Sequence, residues 1–328
     1  MHWQAYTVVG LALIFAYLIG VHGAGNVVST VISSRAFGPR TALAIGAAAE
    51  FLGPFVFGTA VASTIGAQIL NPGQVTLEIL LAALLAAIGW HALTWYLGIP
   101  SSSSHGLVGG MTGAALMSSG PGALQSIGLI KVLLGLFLAP LFGFILGYVL
   151  LRLIYILTSG ASPRVNDLFR RGQLLTVLGL ALTHGANDAQ KAMGIIGLAL
   201  FLSGYLGSFS VPLWVIVTSA GAMALGTAMG GWRLIRTLGG KFFKVRPVHS
   251  FSSQLSSTLV ILAASLFGWP VSTAQVVSPA ILGVGAAERI NKVRWGVAAD
   301  IVMAWLLTIP LTAGLSALIY LGLTRVLL

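Results

Sequence analysis

The constraint that dominates this sequence is a succession of long apolar runs, near 5–33, 41–66, 76–98, 127–158, 173–203, 211–231, 252–268 and 296–324. Each is about as long as a helix needs to be to cross a hydrocarbon core, roughly 20 residues. Of the 328 residues 57% are hydrophobic and only 7% charged, where a soluble domain carries about 25% charged residues. Such a chain cannot cover a water-facing surface, and it reads as an all-α polytopic membrane protein. With no cysteine, disulfides, thiolate metal sites and cysteine nucleophiles are excluded. The formal charge of +11 then points to basic cytoplasmic loops rather than to nucleic acid.

Two further apolar segments, 101–119 and 271–287, differ in texture. Each opens on a proline and a hydroxyl-rich stretch, Pro100-Ser101-Ser102-Ser103-Ser104-His105 and Pro270-Val271-Ser272-Thr273-Ala274-Gln275. Proline interrupts helices, and interrupted helices at membrane depth are tolerated where protein or a wet cavity surrounds them. Met1-His2-Trp3-Gln4 has no basic stretch of a cleaved signal, so the first span is expected to stay in place.

Loop charges set the expected topology. Arg35 and Arg40, then Arg152, Arg164, Arg170 and Arg171, then Arg233, Arg236, Lys241, Lys244 and Arg246, and finally Arg289, Lys292 and Arg294 mark four cytoplasmic loops. The loops near 67–75, 119–126 and 204–210 carry no Lys or Arg and should face outward with both termini. The parity requires five passes followed by five of opposite direction, with repeats at 1–160 and 161–328. Motifs agree with that division: His22-Gly23-Ala24-Gly25-Asn26 returns as His184-Gly185-Ala186-Asn187-Asp188, and the Pro-Ser motif returns in the same order about half a chain later. Inverted repeats with broken helices are a signature of secondary transporters, whose sites lie near the midplane.

The motifs suit ion and oxyanion chemistry. A carboxamide and a carboxylate inside an apolar helix, Asn187 and Asp188, offer oxygen ligands to sodium or a site for a proton; the plainer reading is polar glue between helices. Asn26, without a neighbouring carboxylate, is closer to the plain reading. Glu50 lies within the second run and should be paired, protonated or bound to a cation. Ser102, Ser103, Ser272 and Thr273 supply hydroxyls at two helix starts, a neutral cradle for a tetrahedral anion, against which stands a simple serine-capped turn. His105 has Gln275 as its repeat partner, so titration there cannot be required in both halves. His91 reads as a packing or interfacial residue, Glu78 and Asp300 as interfacial. Lys191 shares a helical face with Asp188 and could neutralise it. No paired catalytic carboxylates or histidine metal cluster appears, so no enzymatic activity is expected.

These residues resemble the inorganic phosphate transporter family in its bacterial form. The resemblance rests on His184-Gly185-Ala186-Asn187-Asp188-Ala189-Gln190-Lys191, Trp269-Pro270-Val271-Ser272-Thr273, Gly230-Gly231-Trp232-Arg233, Arg246-Pro247-Val248-His249 and Ile281-Leu282-Gly283-Val284-Gly285, and covers nearly the whole chain. It implies a multi-pass carrier of the cytoplasmic membrane, commonly a homodimer among lipids, taking up orthophosphate with a cation and needing no cofactor beyond a coupling sodium or proton. The chain departs from the family at Gly25-Asn26, where Asn-Asp is usual, at Ala274-Gln275, where Thr-His is usual, and at Gln254, where similar sequences often have glutamate. Sulfate therefore stays open as the anion, and a passive anion channel is the alternative of another class. The expected mechanism is alternating access, the anion held by Asn26, Ser102, Ser103, Asn187, Ser272 and Thr273, with coupling at Asp188, Glu50 and Asn187 and any sodium at Asp188.

The topology is open to a thiol test in a chain without native thiols. A cysteine at Lys241 should resist an impermeant reagent applied outside intact cells and react once the membrane is permeabilised; external labelling would reverse the expected orientation.

Overall fold

The computed structural model of the chain describes residues 2–162, 164–240 and 242–327; Met1 and Lys241 lie outside them. The described residues form twelve α-helices: α1 (His2–Ser33), α2 (Pro39–Phe57), α3 (Ala60–Ala67), α4 (Leu77–Leu97), α5 (Ser103–Ser119), α6 (Ser126–Leu157), α7 (Val165–Leu202), α8 (Leu213–Met229), α9 (Trp232–Gly240), α10 (Pro247–Leu266), α11 (Thr273–Arg289) and α12 (Trp295–Leu327). Among them β pairing is confined to an isolated bridge between Leu70 and Leu124. The all-helical expectation holds, and the protein is a multi-pass membrane protein.

Individually, α1, α2, α4, α6 and α12 are long and apolar enough to cross a bilayer, and α8 with α9 forms a further segment bent by 69°. The membrane-facing character is plainest on α6 and α12, where Phe137, Leu157 and Leu318 are each about two-thirds exposed or more; water would penalise such a surface, whereas lipid does not. Helix α7 is long, yet buries Asn187, Asp188, Gln190 and Lys191, and α10 buries a row of serines. Their polarity is turned inward, toward other helices.

Three segments differ from the sequence expectation. The run 41–66 is not one helix but two, because Gly58 takes a φ of 76° that a residue with a Cβ rarely adopts. The stretch 232–246, read as a loop, holds the amphipathic helix α9, which buries Leu234, Ile235 and Leu238 and follows a similar break at Gly230 (φ 75°). Helix α7 starts at Val165, so Arg170 and Arg171 ride on its first turns rather than in a loop. A short break governed by one glycine leaves no gap in hydropathy, which is why the run 41–66 looked continuous.

Packing follows a matched pattern. Helix α1 lies against α8 and α9 while α7 lies against α2 and α3; α6 packs on α11 while α12 packs on α5. Glycines allow these crossings: a Cβ on Gly185 would land on the Glu50 carbonyl, and one on Gly226 on the Tyr17 carbonyl. Gly98 and Gly268 take left-handed φ values of 69° and 67° ahead of Pro100 and Pro270. Their carbonyls accept from Thr237 at 3.1 Å and Thr64 at 2.7 Å respectively. The two Pro-Ser segments are thus anchored alike, each by a threonine from a short helix, α9 or α3.

These crossings give a stability prediction. A Cβ at Gly143 would sit 2.7 Å from the Val276 carbonyl, while one at Gly89 meets nothing within 4 Å. Gly143→Val should push α6 from α11 and cost about 1–3 kcal/mol, the usual range for overpacking. Gly89→Ala should be neutral or slightly stabilising. Thermal denaturation of the purified variants in detergent compares the two.

Candidate functional site

The duplicated glycine motifs on α1 and α7 meet each other, since a Cβ on Gly23 would fall on the His184 ring. From that crossing a chain of buried polar groups extends. Thr227 Oγ1 on α8 donates to Glu50 Oε2 at 2.5 Å, and Glu50 Oε1 on α2 pairs with His184 Nδ1 at 2.7 Å. His184 Nε2 lies 3.1 Å from Asp188 Oδ2, and Lys191 Nζ lies 2.6 Å from Asp188 Oδ1. Lys191 Nζ also donates to Ser103 Oγ at 2.7 Å. Helical spacing builds most of this: His184 and Asp188 are one turn apart, with Lys191 on the same face. Glu50, His184, Asp188 and Lys191 are each buried.

The Pro-Ser segments converge beside this chain. Asn187 Nδ2 donates to Ser265 Oγ and to the Trp269 carbonyl, both at 3.1 Å, holding α7 against the second segment. Ser104 Oγ donates across to the Val271 carbonyl at 2.8 Å, and Gln275 Nε2 lies 3.2 Å from His105 Nδ1. Repeat-equivalent residues therefore touch, and the starts of α5 and α11 lie side by side. Ser102 caps α5 by accepting from the His105 N–H at 3.1 Å. Ser272 precedes α11 without a side-chain cap. Asn187 Oδ1 and Thr273 Oγ1 are buried with no protein partner among the described residues. Buried polar atoms are nearly always bonded to something, so these two mark a place suited to a polar solute. Helix starts add unpaired N–H groups that favour anions.

Six of the predicted residues, Ser102, Ser103, Asn187, Asp188, Ser272 and Thr273, are thus brought to one region, and Glu50 joins it through His184. Asn26 is buried on α1 but shows no hydrogen bond to another described residue. His91 is buried rather than interfacial, 4.5 Å from the His22 ring and 5.7 Å from Phe15. Gln254 accepts from Thr176 at 2.6 Å, an amide serving α7–α10 packing. Sequence reasoning overlooked His184 and Thr227. The first carried a signal, its one-turn spacing from Asp188; the second carried none, because a lone threonine in an apolar run is common.

No cluster of three or more metal-binding side chains occurs among the described residues; Asp188 Oδ1 accepts from the Lys191 ammonium, and Oδ2 lies at ion-pair distance from His184 Nε2 without hydrogen-bond geometry. The buried ionic chain predicts an asymmetry of stability effects. Glu50→Ala strands His184 and should cost about 3–5 kcal/mol, as breaking a buried pair does, whereas Thr227→Val removes one hydrogen bond to a charged group, about 1.5–3 kcal/mol. Chemical denaturation in detergent would rank them.

Comparison with known proteins agrees with this architecture. The sequence pattern of the Phosphate transporter family matches residues 19–316. A protein of Rhizobium meliloti (strain 1021) named "Probable low-affinity inorganic phosphate transporter" is 43% identical over 95% of this chain and 94% of its own length. A Bacillus subtilis (strain 168) protein of the same name is 42% identical, covering 94% of each chain. A solved structure titled "The sodium-dependent phosphate transporter" superimposes with a TM-score of 0.90 at 25% identity, covering 98% of this chain and 99% of that one.

Proposed function

Because this chain belongs to the phosphate transporter family, we propose that it carries inorganic phosphate across the cytoplasmic membrane as a cation-coupled symporter working by alternating access. The observation that carries this reading is the meeting of two Pro-Ser helix starts beside α7, with Asn187 Oδ1 and Thr273 Oγ1 buried and unpartnered there. In this reading Ser102, Ser103, Ser272, Thr273, Asn187 and Asn26 surround the anion. Hydroxyls and helix starts donate to it without a full counter-charge. Asp188 and Glu50, joined through His184, form the coupling element. The matched helix pairing supports two inverted repeats, 1–160 and 161–328, that rock against each other about this site. The names borne by the similar proteins favour phosphate over sulfate. Phosphate also keeps a proton that a buried carboxylate can accept, and sulfate does not.

Uptake of labelled phosphate into proteoliposomes, with sodium and proton gradients imposed separately, tests the reading. Asp188→Asn should abolish accumulation against a gradient while folded protein remains in the membrane. Ser103→Ala and Thr273→Ala should each weaken phosphate binding about ten- to a hundred-fold, the cost of losing a hydrogen bond to a charged group. Ser118→Ala, at the far end of α5 where it meets Tyr320 at 2.7 Å, should leave affinity unchanged. Full affinity in both site variants would place the anion elsewhere, and uptake without accumulation in the wild type would favour a passive channel.

A further inference from the structure

Lys191 occupies an unusual position for a lysine. It is fully buried, and its ammonium lies 2.6 Å from Asp188 Oδ1 and 2.7 Å from Ser103 Oγ. A carboxylate oxygen and a hydroxyl oxygen are also what a hard monovalent cation takes from a protein. The other Asp188 oxygen faces His184 Nε2 at 3.1 Å. A carboxylate so enclosed has little left to offer a free ion. An ammonium has three donors, and the third makes no hydrogen bond to a described residue, although the side chain is buried. That spare donor sits at the first residue of α5, where the helix start also favours an anion.

We propose that Lys191 is a tethered cation: it takes on Asp188 the place of a coupling sodium ion and presents its third N–H to the transported oxyanion at Ser103. Sodium is therefore not required at Asp188 in this chain, and the positive field at the anion site is covalently built in. A salt bridge with a merely structural role would give stability but no ion selectivity. The inference rests on the transport reading for its consequence, while direct ion binding tests it independently.

Two measurements decide it. In the first, radioactive sodium is equilibrated with detergent-purified protein. Wild type should not bind it at Asp188; Lys191→Met should bind it saturably, and the double variant Lys191→Met with Asp188→Asn should lose that binding. In the second, proteoliposomes take up labelled phosphate with sodium or choline outside at a constant proton gradient. Wild type and Lys191→Arg should be indifferent to sodium, whereas Lys191→Met should fall about tenfold or more in choline and recover in sodium. Sodium binding by the wild type that Asp188→Asn removes would overturn the proposal, and needs no Lys191 variant. So would a monodisperse Lys191→Met protein that neither binds sodium nor responds to it. Absence of phosphate uptake by the wild type under every gradient would instead overturn the transport reading and leave the sodium-binding result standing.

Discussion

The buried run from Thr227 through Glu50, His184, Asp188 and Lys191 to Ser103 is the constraint around which the bundle is arranged. Isolated charges in a low-dielectric interior cost several kcal/mol each even after relaxation, so two carboxylates and an ammonium inside a membrane bundle must compensate one another at close range. The contacts of 2.5–3.1 Å along the run do so. They also dictate which helices can approach: Glu50 reaches His184 only because Gly185 lets the α2 and α7 backbones nearly touch. With His184 protonated on both nitrogens, the four ionisable groups sum to zero. Adding or removing one proton unbalances this set of buried groups.

Geometry and chemistry divide differently across the chain. The geometry is nearly duplicated: Gly58 and Gly230 break equivalent segments, Gly98 and Gly268 turn into equivalent prolines, and each long helix packs on the other half's partners. The chemistry is not. Asn26 stands where the other motif has Asp188, His105 faces Gln275, and Ala222 lies as far before Gly230 as Glu50 lies before Gly58. Glu50 in the first half and Asp188 and Lys191 in the second thus have no ionisable counterparts at the matching positions, and the ionic chain is assembled from both halves.

Much of the site was legible because its parts recur in short motifs. The Pro-Ser stretches announced two helix starts through proline and hydroxyl chemistry, and the helices begin at Ser103 and Thr273, two residues inside the segments read as 101–119 and 271–287. Asp188 and Glu50 stood out as carboxylates inside apolar runs. The helix break at Gly58 was invisible, since a single glycine of positive φ does not interrupt hydropathy, whereas the run 211–231 already ended at Gly230. Helix α9 was hidden for the opposite reason: arginines on its exposed face masked an apolar face that packs on α1.

The sequence by itself determined the membrane character, the all-helical class, the paired motifs and the identity of the buried carboxylates, because these depend on composition and on spacing along one chain. Tertiary structure alone decided that Glu50 bonds His184, that Lys191 reaches both Asp188 and Ser103, and that His105 meets Gln275. These partners lie far apart in sequence, and no local period brings them together. Only the crossing of α7 with α1 and α2, permitted where glycines remove a Cβ from the contact, carries them into range.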